Sequence, residues 1–166
     1  MIQSLSANHG VFHRLLTPVP KKVCTWRPSE TSWSILEIAC HLYDEEREDF
    51  RARTRLALKA SKGGLQPVNP VAWVEERGYS TKEYSKVVQD FLNEREASSL
   101  WLSSLERPDW QASFRHPELG VFSAHKMLAN WLAHDYHHIR QINTIKYLYL
   151  LQHSGEDLSY AGKWNP

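Results

Sequence analysis

Cysteine is scarce in this sequence. Cys24 and Cys40 are its only two, with no C-x-x-C spacing. A disulfide framework and a thiolate zinc site are therefore not expected, and a reducing, cytoplasmic setting is. Long apolar runs are also missing, since none approaches the roughly 18 residues needed to cross a bilayer. The opening stretch, MIQSLSANHGVFHRLL, is broken by polar residues every few positions and does not read as a signal peptide. Charge of one sign is lacking too: 20 Lys and Arg stand against 19 Asp and Glu, for a formal charge of +1. With no basic stripe or arginine-rich segment, neither a nucleic acid nor a membrane is an expected partner. No stretch alternates with period two, and no internal repeat or low-complexity segment occurs.

What remains is helical periodicity. Ile2, Leu5, Phe12, Leu15 and Leu16 define a first amphipathic helix that stops at TPVP. A second starts after RPSETSW, with Ser34 and Glu37 as a capping box and Trp33 and Ile38 as the hydrophobic staple. Gly63–Gly64 is its expected stop. A third opens at Ser80, with Glu83 as box partner, and closes before Pro108. A fourth runs from about Ser123 to Gln152. Residues 63–79 form a long crossover holding one short helix between Asn69–Pro70 and Gly78, and residues 107–122 read as an irregular linker. The expected fold is all-α, a four-helix bundle over residues 1–152, followed by a loosely ordered tail over 153–166.

Histidine and tryptophan are unusually frequent. There are nine histidines, four of them between His125 and His138, and seven tryptophans. A helix turns about 100° per residue. Measured from His138, the side chains of Met127, Trp131, His134, Ile142, Ile145 and Tyr149 all fall within about 40°, whereas His137 lies about 100° away. His134 and His138 thus form an inward H-x-x-x-H pair, whose spacing lets two imidazoles converge on one ion. His137 is expected to be dispensable. A mononuclear site needs a third ligand, and His41 in LEIACHLYDEERED is the candidate, at the border of its helix's apolar face. Of the flanking Glu37, Glu45 and Glu48, at least two are expected on a solvated face. Glu45, one turn from His41, is the candidate general base or supporting partner.

Two stretches, TWRPSETSWSILEIACHLYDEEREDF and FRHPELGVFSAHKMLANWLAHDYHHIRQI, resemble the DinB/YfiT-like superfamily. The likeness runs from about residue 5 to 145. It is carried by W-R-P, T-S-W-S, the histidine of ACHLYDEE, H-P-E-x-G and H-D-x-H-H-x-x-Q-I. The resemblance implies an up-down-down-up bundle with a long crossover between helices two and three. It also implies a divalent metal, zinc or nickel, held by the residues matching the family's ligands, His41, His134 and His138. Open coordination positions would take water or a small-molecule substrate. Known activities in the family include transfer to low-molecular-weight thiols such as bacillithiol, so thiol-S-transferase-like or hydrolase chemistry is implied, and homodimers are common. The competing expectation is a non-catalytic metal-binding or stress-response bundle; a metal-free bundle with core histidines is a third.

Other residues take structural readings. Cys40 is expected to be a small buried hydrophobe. Trp33, Trp101 and Trp131 are expected in the core, and Trp73 and Trp110 over the site mouth or a dimer surface. His116 and His125 suit turns or caps, and His9 and His13 are not expected to be ligands.

Overall fold

The computed structural model describes residues 1–59, 68–116 and 120–164. Its helices are α1 (Ile2–Leu16), α2 (Lys21–Cys24), α3 (Ile35–Asp44), α4 (Arg51–Leu58), α5 (Pro70–Glu76), α6 (Tyr84–Ser103) and α7 (Ala124–His153). A π-helical segment, Glu45–Phe50, joins α3 to α4 without a break, so the second bundle helix is α3–π–α4. With α1, α6 and α7 it makes four.

Local chemistry sets most boundaries. Ser34 accepts from the Glu37 backbone amide, and the Glu37 carboxylate accepts from Ser34 in return, closing the box that starts α3. Asn69 caps α5 ahead of Pro70, and Gly78 follows it in the left-handed region at φ +58°. Ser123 caps α7. The third bundle helix departs from expectation. Ser80 lies in a 3₁₀ turn, Tyr79–Thr81, and α6 is capped by Glu83, whose carboxylate accepts from the amides of Ser85 and Lys86. The expected stop at Gly63–Gly64 and part of the H-P-E-x-G turn lie outside the described residues.

Side-chain pairings fix the helix directions. Glu46 meets Arg95 and Arg51 meets Ser98, so α3–π–α4 and α6 run parallel. Asn8 meets Asp135 and Leu15 meets Lys146, so α1 and α7 also run parallel. Phe12 packs on Phe91 while Tyr84 bonds the Leu16 carbonyl, which makes α1 and α6 antiparallel. His41 faces His138 while Phe50 stacks on Trp131, which makes the second and fourth helices antiparallel. The bundle is therefore up-down-down-up, and the two parallel helices in its middle require the long crossover.

The linker before α7 is more ordered than its sequence suggests. Ser113–His116 (β1) and Gly120–Ser123 (β2) pair antiparallel, with Phe114 opposite Phe122. Each strand has four residues, too short for alternation to stand out. After α7 the chain makes a 3₁₀ turn at Ser159–Ala161, and Trp164 stacks on Tyr147.

Two apolar clusters fill the bundle. One gathers Phe12, Leu16, Ile35, Ile38, Phe91 and Ile142, and the other Leu5, Phe50, Leu102, Met127, Leu128 and Trp131. Between them lies a buried polar layer. Arg95 donates to both Glu46 oxygens at 3.0 Å and to the Asp135 carboxylate at 2.5 and 2.6 Å. Asn8 also donates to Asp135, and the Trp131 indole donates to Glu46. All four bundle helices contribute to this layer.

Candidate metal centre

The centre sits where α3 and α7 face each other, beside the polar layer. The capping box and the Arg27–Glu37 ion pair fasten the segment that leads into α3. His41 follows one turn after Glu37, with Trp33 against its ring at a centroid distance of 4.9 Å. From α7, His134 and His138 reach across. His134 Nε2 lies 3.0 Å from His41 Nε2 and 3.0 Å from His138 Nε2. The three residues form a group with ligand atoms all within 4.8 Å of one another. Phe50 packs on the His134 ring at 4.8 Å. Structure thus brings together the three histidines that the sequence singles out, and leaves His137 exposed at the rim.

All three imidazoles are held neutral. Burial, reinforced by the neighbouring histidines, pushes His41 down to about 3. Burial pushes His138 down to about 4 against the opposing bond to Gln141, and His134 is driven well below the ordinary histidine range by burial and by His138, His41 and Arg95. Neutral imidazole has one lone pair and one N–H. His138 Nδ1 lies 2.8 Å from the side-chain oxygen of Gln141, which assigns the proton to Nδ1 and the lone pair to Nε2. His134 Nε2 then has two neighbours at 3.0 Å and at most one proton. If it donates to His138, it has no lone pair left for His41; if it accepts from His41, it turns a lone pair on that of His138. No tautomer of the neutral triad gives each contact a hydrogen bond of its own; the single His134 proton could at best be shared.

A cation among the three nitrogens removes that conflict. Tetrahedral coordination at 2.0–2.1 Å sets ligand nitrogens about 3.3 Å apart, close to the spacing found here. Neutral imidazoles are also the donor set that zinc, nickel and similar ions favour. The residues present therefore fit a divalent metal. Gln141 is the partner that orients His138.

Beside the triad opens a cavity of about 670 Å³. Thr31, Ser32 and Trp33 form one wall, and Gln141, Thr144 and Leu148 the other. Glu45 lies in its lining with Oε1 buried and, among the described residues, unpaired. Burial, with Asp49 adding to it and Arg53 opposing, pushes the Glu45 carboxyl up to about 8. Its proton is thus readily exchanged near neutral pH.

Several expectations need correction. Only Glu48 of the three glutamates beside His41 is substantially exposed, paired with Arg77. Glu37 is fully buried in its cap, and Glu45 is turned into the cavity. Trp33 packs against the Ile38–Phe91 cluster as expected and also lines the cavity, whereas Trp73 packs with Leu36, Cys40 and Tyr79, and Trp110 joins the Leu5–Trp131 cluster. Cys40 is a buried thiol on the other side of α3, pushed up to about 12 by burial and then by Asp44. Gln141 was available to sequence reasoning, because it follows His138 by three positions on one helix face.

Residues 4–142 match the family model of the DinB superfamily. A protein of Oceanobacillus iheyensis, provisionally named a metal-dependent hydrolase, is 26% identical over 114 residues, or 68% of this chain and 64% of that protein. A Bacillus cereus relative with the same provisional name is 25% identical over 115 residues, covering 69% of this chain and 65% of its own. The match therefore spans just under two thirds of the length of these curated relatives. Among solved structures, YfiT from Bacillus subtilis, described as a probable metal-dependent hydrolase with an unusual four-helix bundle topology, aligns at TM-score 0.77. The alignment covers 88% of this chain and 83% of that one at 18% identity, a likeness of fold.

Proposed function

The chain belongs to the DinB superfamily, and on that premise we propose that it is a metal-dependent hydrolase of a small molecule, using His41, His134 and His138 as ligands and Glu45 as general base. The observation that carries this reading is the neutral triad, whose three Nε2 atoms converge with fewer protons than contacts, as a cation's ligands do. Among the described residues no fourth protein ligand joins the three histidines, and such an open set is the catalytic type of site, since structural zinc sites are closed by four. A divalent ion bound there, zinc or nickel, would supply a Lewis acid that polarises a substrate oxygen and lowers the pKa of a bound water or thiol.

The chain's own residues do the rest. Gln141 holds the His138 proton on Nδ1 and so keeps Nε2 aimed at the centre. Trp33 and Phe50 flank the triad with apolar surface and keep bulk water from its ligand nitrogens. Glu45, which a cation bound beside it would ionise, accepts a proton at Oε1 from a nucleophile in the cavity and returns it to the leaving group.

Protein purified without a histidine tag and loaded with zinc or nickel tests this reading. One ion per chain is expected, lost in His41→Ala, His134→Ala and His138→Ala and kept in His137→Ala. Turnover is expected on a panel of esters and amides, and it should fall at least about a hundredfold in Glu45→Gln. Failure to bind an ion rejects the metal reading. Turnover only when a low-molecular-weight thiol and an electrophile are supplied replaces hydrolysis by thiol transfer. Bound metal without turnover on either panel favours a non-catalytic metal-binding role.

A further inference from the structure

The triad borders a second cavity. A space of about 430 Å³ lies between the β1–β2 hairpin, the π segment with α4, and α7. His134 and His137 line it as well as the first cavity, so the two meet at the histidines. We propose that this second cavity is a substrate subsite for an uncharged aryl or branched-alkyl group, which makes the preferred substrates esters or amides carrying such a group next to the scissile carbonyl. The proposal rests on the hydrolase reading and deepens it.

The walls of the two cavities differ in chemistry. The first offers the hydroxyls of Thr31, Ser32 and Thr144 and the amide of Gln141, which suit a polar leaving group. The second sets Phe50, Phe122, Met127 and Ala133 as its apolar wall, with His116 and Asn130 as neutral polar side chains at its border. Phe50 and Met127 are buried and belong to the bundle core, so this part of the lining is preformed. Phe50 also touches the His134 ring, so a group lying along Phe50 is adjacent to the reacting centre. The charged lining residues Asp49 and Arg53 pair with each other and cancel. A charged substituent entering here would lose hydration without gaining an unpaired counter-ion. Size is sufficient, because a cavity of about 150 Å³ already holds benzene. Ala133 is the wall position where a larger side chain would fill the space, and it sits on the outer side of α7, where substitution leaves the bundle core intact.

Hydroxamates test the subsite, because the hydroxamate chelates the metal and projects its substituent to one side. Zinc content is measured first for every protein, followed by calorimetric titration with acetohydroxamate and benzohydroxamate. In the wild type the phenyl compound is expected to bind at least about tenfold tighter. Ala133→Phe should abolish that preference, the loss falling mainly on benzohydroxamate, and Ala133→Leu should reduce it. Thr144→Phe, which narrows the first cavity, should retain it. Equal affinities in the wild type, or a preference lost in Thr144→Phe and kept in Ala133→Phe, would overturn the subsite and leave the metal reading standing. A wild type that binds no zinc overturns both.

Discussion

Glu45 is the residue whose chemistry the fold alters most usefully. Its carboxyl titrates at about 8 in the folded protein against an ordinary value of 4.5, so the folded chain holds a proton that the unfolded chain releases. The contribution of Glu45 to stability is therefore full below about pH 4.5 and is lost as pH rises towards 8. In metal-stripped protein, Glu45→Gln should raise stability at pH 7.5 by on the order of 4 kcal/mol, with the gain vanishing near pH 4. Denaturant titrations of both proteins at the two pH values check it. The histidines act in the opposite sense. His41 and His138 stay neutral down to about 3 and 4, whereas the unfolded chain protonates them near 6.5. Below pH 6.5 the unfolded state binds more protons, so each costs about 1.4 kcal/mol per pH unit as pH falls. Metal-stripped protein should accordingly melt at steadily lower temperature from pH 6.5 to 4.5. A double His41→Asn, His138→Asn variant should show a markedly flatter profile in the same scans.

At the scale of elements, the second bundle helix positions the centre. Its start is held by the Ser34–Glu37 box, so Ser34→Ala should cost about 1 kcal/mol in thermal or urea unfolding while still binding one zinc ion. Its middle is the π segment, a form that recurs at functional sites and that widens the turn by about one residue. Glu45 and Glu46 are both buried there, one in the cavity and one on Arg95. This marks the limit of what the sequence disclosed. The box, the H-x-x-x-H phase and the boundaries of α7 follow from spacing and side-chain chemistry alone, and so were legible. A π segment has no comparable local signature: the run Glu45–Phe50 reads as an ordinary charged helix face, so nothing in it marks Glu46 as buried. The hairpin before α7 was hidden for a related reason, since its pairing joins two segments each too short to show a period.

For the molecule as a whole, the organising feature is the charged layer between the two apolar clusters. Among the described residues, Arg95 is the one cation on which Glu46 and Asp135 converge there, and removing it strands two buried carboxylates. Arg95→Met should destabilise the protein by about 3–5 kcal/mol, read from the shift of the urea midpoint. That layer has a further consequence for how the chain finds its topology. Four helices with apolar stripes can dock in several orders and directions, and burial of apolar area alone discriminates poorly among them. Asn8, Glu46, Arg95 and Asp135 come from four different helices and meet at one level only when α6 runs alongside the second helix and α7 alongside α1. Any other threading would leave at least one of these charges in apolar surroundings without its counterpart. The layer thus acts as a proofreading device, penalising bundles assembled in any order other than the one that brings the histidines together.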